Sequence, residues 1–172
     1  MESIEQHCES LRRLQPLGAG PKVDEQLCDM LESVQLLRDL NRPDIEALAE
    51  CAGAYRAPAD TVIFHEGQRD PFLCLVVEGR LQVFKEQDTA TRRKLATIRA
   101  GKVIGEMSLI DGLPHSATVV ATEASTLLIL TSRGLERLEQ TRPRLALRLT
   151  WKLARELSQR LRQTSGLLVD HL

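Results

Sequence analysis

Late in the chain, leucine recurs at every fourth position, at Leu145, Leu149, Leu153, Leu157 and Leu161, behind Pro143. Residues four apart stack on one face of a helix, so the spacing predicts a long helix over 143–165. Ala146, Leu147, Trp151 and Ala154 widen its apolar stripe. One part of that stripe can cover a sheet while another meets a second helix. The middle of the chain has a shorter period. Segments 61–64, 72–77, 81–85, 95–98, 103–104, 118–122 and 126–131 are short apolar or β-branched runs, with Gly67, Gly79 and Gly101 in the breaks. That rhythm predicts short strands in an antiparallel sandwich or jelly roll.

Before the strands the helical period returns. Ile4, Cys8, Leu11 and Leu14 are helically spaced ahead of Pro16 and the Gly18 to Pro21 breaker, which suggests a loosely attached arm. A second helix is expected from about 24 to 31, with Leu27, Met30, Leu31 and Val34 on one side. A third restarts at Asn41, Arg42 and Pro43, proline in its first turn, with Ile45, Leu48 and Ala49 inward. The fold class is therefore α+β, mainly β: an antiparallel jelly-roll β-sandwich flanked by N-terminal helices and a long C-terminal helix. The expected division is a helical arm over 1–34, outside the sheets, and a sandwich unit over 35–172 that includes helix 143–165.

Composition narrows the function. The 172 residues are 42% hydrophobic and 27% charged, enough for one soluble domain with a core. Aromatics are 3%, too few for the stacking platforms of a single-strand nucleic-acid reader. Net charge is -1, yet residues 133–172 hold nine Lys/Arg against four Asp/Glu. Cations spread among helical leucines fit a solvated face, or one that meets an acidic partner surface. Cys8, Cys28, Cys51 and Cys74 lie twenty or more residues apart with no C-x-x-C pair, as expected of buried thiols in the reducing cytoplasm. His65 and Glu66 are neighbours while His7, His115 and His171 stand apart, so no metal set is expected and a metal-binding cupin is set aside. No leader and no apolar run of membrane length is visible. Ser108, Ser116 and Thr118 have no histidine and acid pattern beside them, so catalysis is not expected.

The candidate chemistry sits between Gly101 and Val120. Gly105 precedes a short helix at 106–110 whose first-turn amides lack partners and can hold an anion. Glu106 would repel a phosphate but accepts well from a sugar hydroxyl. Asp111 and Gly112 stop the helix, and Pro114, His115, Ser116, Ala117 and Thr118 lead into the strand at 118–122.

The order Gly105, Glu106, x, Ser108, Leu109, then Pro114, a basic residue, Ser116, Ala117, Thr118 and Val119 resembles the phosphate-binding cassette of cyclic-nucleotide-binding domains. Segments 61–67 and 73–83 are similar to the same family, and the resemblance covers about residues 35 to 165. The family includes catabolite-activator-like bacterial regulators, regulatory subunits of cAMP-dependent kinase and gated channels. The resemblance implies cAMP or cGMP as ligand and no other cofactor. It implies a phosphate held by the Gly105 and Met107 amides with the hydroxyls of Ser108, Ser116 and Thr118 beside it, Ala117 within the same site, and a ribose hydroxyl held by Glu106. Val103 and Val119 would touch the base. In the family an arginine follows the proline and pairs with the phosphate; here the residue is His115, a shorter and only partly charged donor. Arg92, Arg93 and Arg133 are candidates to replace it. Two readings follow: a sensor that passes its signal through the C-terminal helix to a partner protein, and a fold that no longer binds nucleotide and serves as an interaction module. The resemblance also implies a homodimer through the C-terminal helix, where Leu167, Leu168 and Val169 would be costly to expose. The sequence stops soon after that helix, so no DNA-binding helix-turn-helix is expected.

Overall fold

Strand Phe72–Glu78 reads as an unbroken apolar run because both of its faces are covered. Leu73, Leu75 and Val77 enter one core and Phe72, Cys74 and Val76 the other. Strand Ser125–Thr131 divides the same way, with Leu128 and Leu130 on one side and Leu127 and Ile129 on the other. Alternate side chains of a strand point to opposite faces, so a sheet packed on both sides loses the polar half of its pattern.

The computed structural model describes residues 9–18, 20–32, 34–88 and 91–169. Ile4, Cys8 and the side chains of Leu167, Leu168 and Val169, which figure in the expectations above, lie outside the described residues. In chain order the first elements are a 3₁₀ helix (Glu9–Arg13), β1 (Gln15–Pro16), α1 (Pro21–Glu32), a second 3₁₀ helix (Gln35–Leu37) and α2 (Arg42–Cys51). Next come β2 (Gly53–Ala57), β3 (Val62–Phe64), β4 (Phe72–Glu78), β5 (Arg80–Asp88), β6 (Thr91–Arg99) and β7 (Val103–Ile104). The chain continues through α3 (Glu106–Asp111), β8 (Thr118–Ala121), β9 (Ser125–Thr131), α4 (Ser132–Thr141) and α5 (Pro143–Val169).

Two antiparallel sheets form the expected α+β sandwich. One has the strand order β1-β2-β9-β4-β7 and the other β3-β8-β5-β6. Between them lies a core of Ile63, Phe64, Phe72, Val83, Val119 and their neighbours. The second core sits on the outer face of the five-stranded sheet, where α1, α2, α4 and α5 contribute Leu31, Ile45, Leu48, Leu138, Leu149 and Leu153. The early helices therefore share one core with the sheet instead of standing apart from it.

The expected loose arm also changes character. Leu11 and Leu14 are buried in the sandwich core, and β1 pairs with β2. Ser10 Oγ accepts from Gln68 Nε2, which fastens the segment to the loop after β3. The α2 start is as expected: proline lies in the first turn and the Asn41 side chain accepts from the Asp44 amide at 2.9 Å. At the far end of the four-stranded sheet, Val83 pairs with Ala96 but Phe84 with Lys94. Leu95 is the extra residue of this bulge, which bends the outer strand at the place where the site forms.

Candidate ligand-binding site

After β7 the chain reverses at Gly105, whose φ is 83°. A Cβ there would also meet the Phe72 carbonyl oxygen at 2.5 Å. Glycine is required on both counts. α3 then runs only to Asp111, and Gly112 closes it with φ 69° and an N–H donated to the Ser108 carbonyl. The loop that follows is pinned to the β3–β4 loop: the His115 amide donates to the Gln68 carbonyl at 2.9 Å, and the Gly67 amide donates to the His115 carbonyl at 2.8 Å.

His115 is buried, 3% exposed. Its ring stacks on Phe64 at 3.8 Å between centroids and meets Phe72 edge-on at 5.1 Å. Nε2 lies 2.9 Å from the Asp70 carbonyl, which can only accept, so Nε2 carries the proton. Burial pushes the ring's pKa below its ordinary value, outweighing the upward pull of Asp70. The partly charged donor expected at this position is thus a neutral ring near pH 7.

A cavity of about 280 Å³ opens beside it. Phe64, Val83, Ala96, Ile98, Ile104 and Val119 make an apolar wall, with Leu95 brought to the mouth by the bulge. Gly105, Glu106, Met107, Ser108, His115, Ser116 and Ala117 all line it. Seven of the eight residues singled out from sequence are thereby brought together. Val103 is not: it is 2% exposed in the helix-side core, and what it offers the site's edge is its carbonyl. Thr118 is also displaced from its expected role. Its hydroxyl is fully buried, accepting from the Glu66 amide at 2.9 Å and donating to Glu86 at 3.2 Å.

The residue that sequence reasoning missed is Arg160, on α5. Its Nη1 lies 2.5 Å from Glu106 Oε1, and its Nη2 donates to the Val103 carbonyl at 2.6 Å. Arg92, Arg93 and Arg133 do not line the cavity, and Arg92 lies 3.8 Å from Glu86. Glu106 is 1% exposed, and its Oε2 has no hydrogen-bond partner among the described residues. Burial raises the carboxyl's pKa above the usual range, and the Arg160 charge opposes that rise. Outside the cavity, Lys85 bridges Glu66 at 2.5 Å and the Ser116 carbonyl at 2.9 Å, holding the loop from behind. The site therefore offers an unpaired buried acceptor, one guanidinium and an apolar wall. That set suits a ligand with a hydroxyl, an anionic group and a flat apolar body. Among the described residues no group of three or more His, Cys, Asp or Glu could hold a metal ion, and no helix is long and apolar enough to cross a membrane.

The family model described as "Cyclic nucleotide-binding domain" matches residues 55–142. The chain is 34% identical over 102 residues to the "Cyclic AMP receptor protein" of Thermus thermophilus, covering 59% of this chain and 47% of that one. It is 29% identical over 108 residues to the "cAMP-dependent protein kinase regulatory subunit" of Yarrowia lipolytica, covering 63% of this chain and 28% of that one. The chain thus spans less than half the length of these relatives. Among solved structures, a cyclic nucleotide-binding domain from Methylobacillus flagellatus KT superposes with a TM-score of 0.80 at 27% identity, over 97% of each chain.

Proposed function

Because the chain belongs to the cyclic nucleotide-binding domain family, we propose that it is a regulatory domain, not a catalyst, that binds cAMP or cGMP beside α3 and passes the change through α5 to a partner protein. The observation that carries this reading is Glu106. A buried carboxylate oxygen without a donor is costly to keep, and a ribose hydroxyl entering the cavity would supply the donor. The cation follows from the same contact. A guanidinium has five N–H donors, and the contacts of Arg160 to Glu106 and Val103 use Nη1 and Nη2 once each. The remaining donors can take a cyclic phosphate oxygen while the grip on Glu106 is kept. Arg160 would then do from α5 what the family's cassette arginine does from the position of His115. A ligand bridging α3 and α5 favours the docked helix only to the extent that it binds that arrangement more tightly than an undocked one. Cys28, Cys51 and Cys74 are buried free thiols, consistent with the reducing cytoplasm as the compartment.

A second reading has one observation behind it. His115 is neutral, stacked and committed to Asp70, so no permanent cation stands at the cassette position. A domain so altered would serve as a ligand-free interaction module. Calorimetric titration with cAMP and cGMP decides between the two. The sensor reading predicts saturable heat with at least one nucleotide, and a loss of about tenfold to a hundredfold in affinity for Glu106→Ala, the worth of a hydrogen bond to a charged group. No heat with either nucleotide would leave the module reading in its place.

A further inference from the structure

α5 has two apolar faces, and the sandwich uses one. Leu145, Leu149 and Leu153 are buried in the helix-side core. On the opposite side Leu147, Trp151 and Leu161 are 59%, 62% and 68% exposed, with exposed Ala154 and Ser158 between them. Positions 147, 151, 154, 158 and 161 step by four and three alternately, the spacing of a seam that receives another helix. Small residues at its middle allow close approach. A groove of about 400 Å³ runs beside it, with Leu147 and Trp151 as its apolar part and Arg148, Lys152 and Arg155, with Asp39 from before α2, around it.

The charges say what fits. Arg148, Arg155 and Arg162 follow one edge of the seam at seven-residue spacing, while Thr150, Leu157 and Thr164 follow the other, so neither edge carries an acid. Arg148 is held by Asp44 and Asp39 of its own chain. Arg155 and Arg162 are exposed and make no salt bridge among the described residues. An antiparallel second copy would set this arginine row against itself, and a parallel one would set it against threonines and a leucine. Neither copy complements it; flanking charges choose coiled-coil partners by complement. We propose that the outer seam of α5 docks an amphipathic helix of another protein, whose apolar stripe covers Leu147, Trp151 and Leu161 and whose Asp/Glu flank meets Arg155 and Arg162. Trp151 would be the buried anchor, the residue type that most often dominates such contacts. This rests on the reading of α5 as the output element and needs no nucleotide.

Trp151 is the chain's single tryptophan, so its fluorescence reports on the seam alone. The full chain, without nucleotide, is titrated with two synthetic helical peptides of about three heptads. Both carry leucine at the seam positions; one has glutamate on its flanks and the other lysine. The acidic peptide should give a saturable blue shift and bind at least about tenfold more tightly than the lysine peptide. Arg155→Glu with Arg162→Glu should reverse that order. Equal binding of the two peptides, or no shift with either, overturns the inference. So does a shift that follows the protein's own concentration with a dimer in sedimentation, because the seam would then belong to a second copy. Calorimetry with cAMP on the same sample separates the failures: nucleotide binding that persists while the peptide arm fails leaves the proposed function standing.

Discussion

Glu106 is a carboxylate kept from water, 1% exposed, and its energetics follow from that. Its folded pKa is raised by burial, so its favourable contribution is complete below the unfolded value near about 4.3 and is lost as pH rises through the folded value. Glu106→Gln removes the titration. The stability of that variant relative to the parent, from urea unfolding, should therefore improve between about pH 4 and pH 8; a flat difference would mean that the carboxylate is not desolvated. Such a cost at one residue is the trade between stability and function that the proposed ligand site implies. Seven of the residues lining this cavity were legible in the sequence because they lie within 105–117, in a single local motif. Arg160 was not, being 54 positions from Glu106 and one of nine cations after residue 132. The environment of His115 was equally hidden: Phe64 of β3, Phe72 of β4 and Asp70 of the loop between them reach it.

At the scale of elements, short apolar or β-branched runs between turn residues found seven strands, and helical spacing found α1, α2 and α5. What they missed was decided by tertiary pairing. β2, with the sequence Gly53, Ala54, Tyr55, Arg56 and Ala57, is weak as a strand and owes its place to five pairs with β9. The first segment looked like an amphipathic helix, yet among its described residues Glu9–Arg13 form a 3₁₀ turn, and Leu11 and Leu14 close the end of the sandwich. Leu11, 1% exposed, is thus a core residue. Leu11→Ala should cost about 2–5 kcal/mol in urea unfolding; a loss within about 0.5 kcal/mol, the range of ordinary surface changes, would restore the loose arm.

In the whole molecule α5 is the element that everything of functional interest touches. Its early turns are tied to Asp39 and Asp44 before and within α2, its inner face completes the helix-side core, and its later turns reach the cavity through Arg160. On its outer face Leu147, Trp151 and Leu161 are exposed. A ligand held by Glu106 and Arg160 together would therefore bind α3 and α5, the helix proposed as the output element, at once. The measurement that tests this most directly is amide hydrogen exchange over residues 155–165, with and without saturating cAMP, in the parent and in Arg160→Gln. Protection should rise on nucleotide addition in the parent and stay unchanged in the variant. Exchange in α5 that is indifferent to nucleotide in the parent would contradict the account.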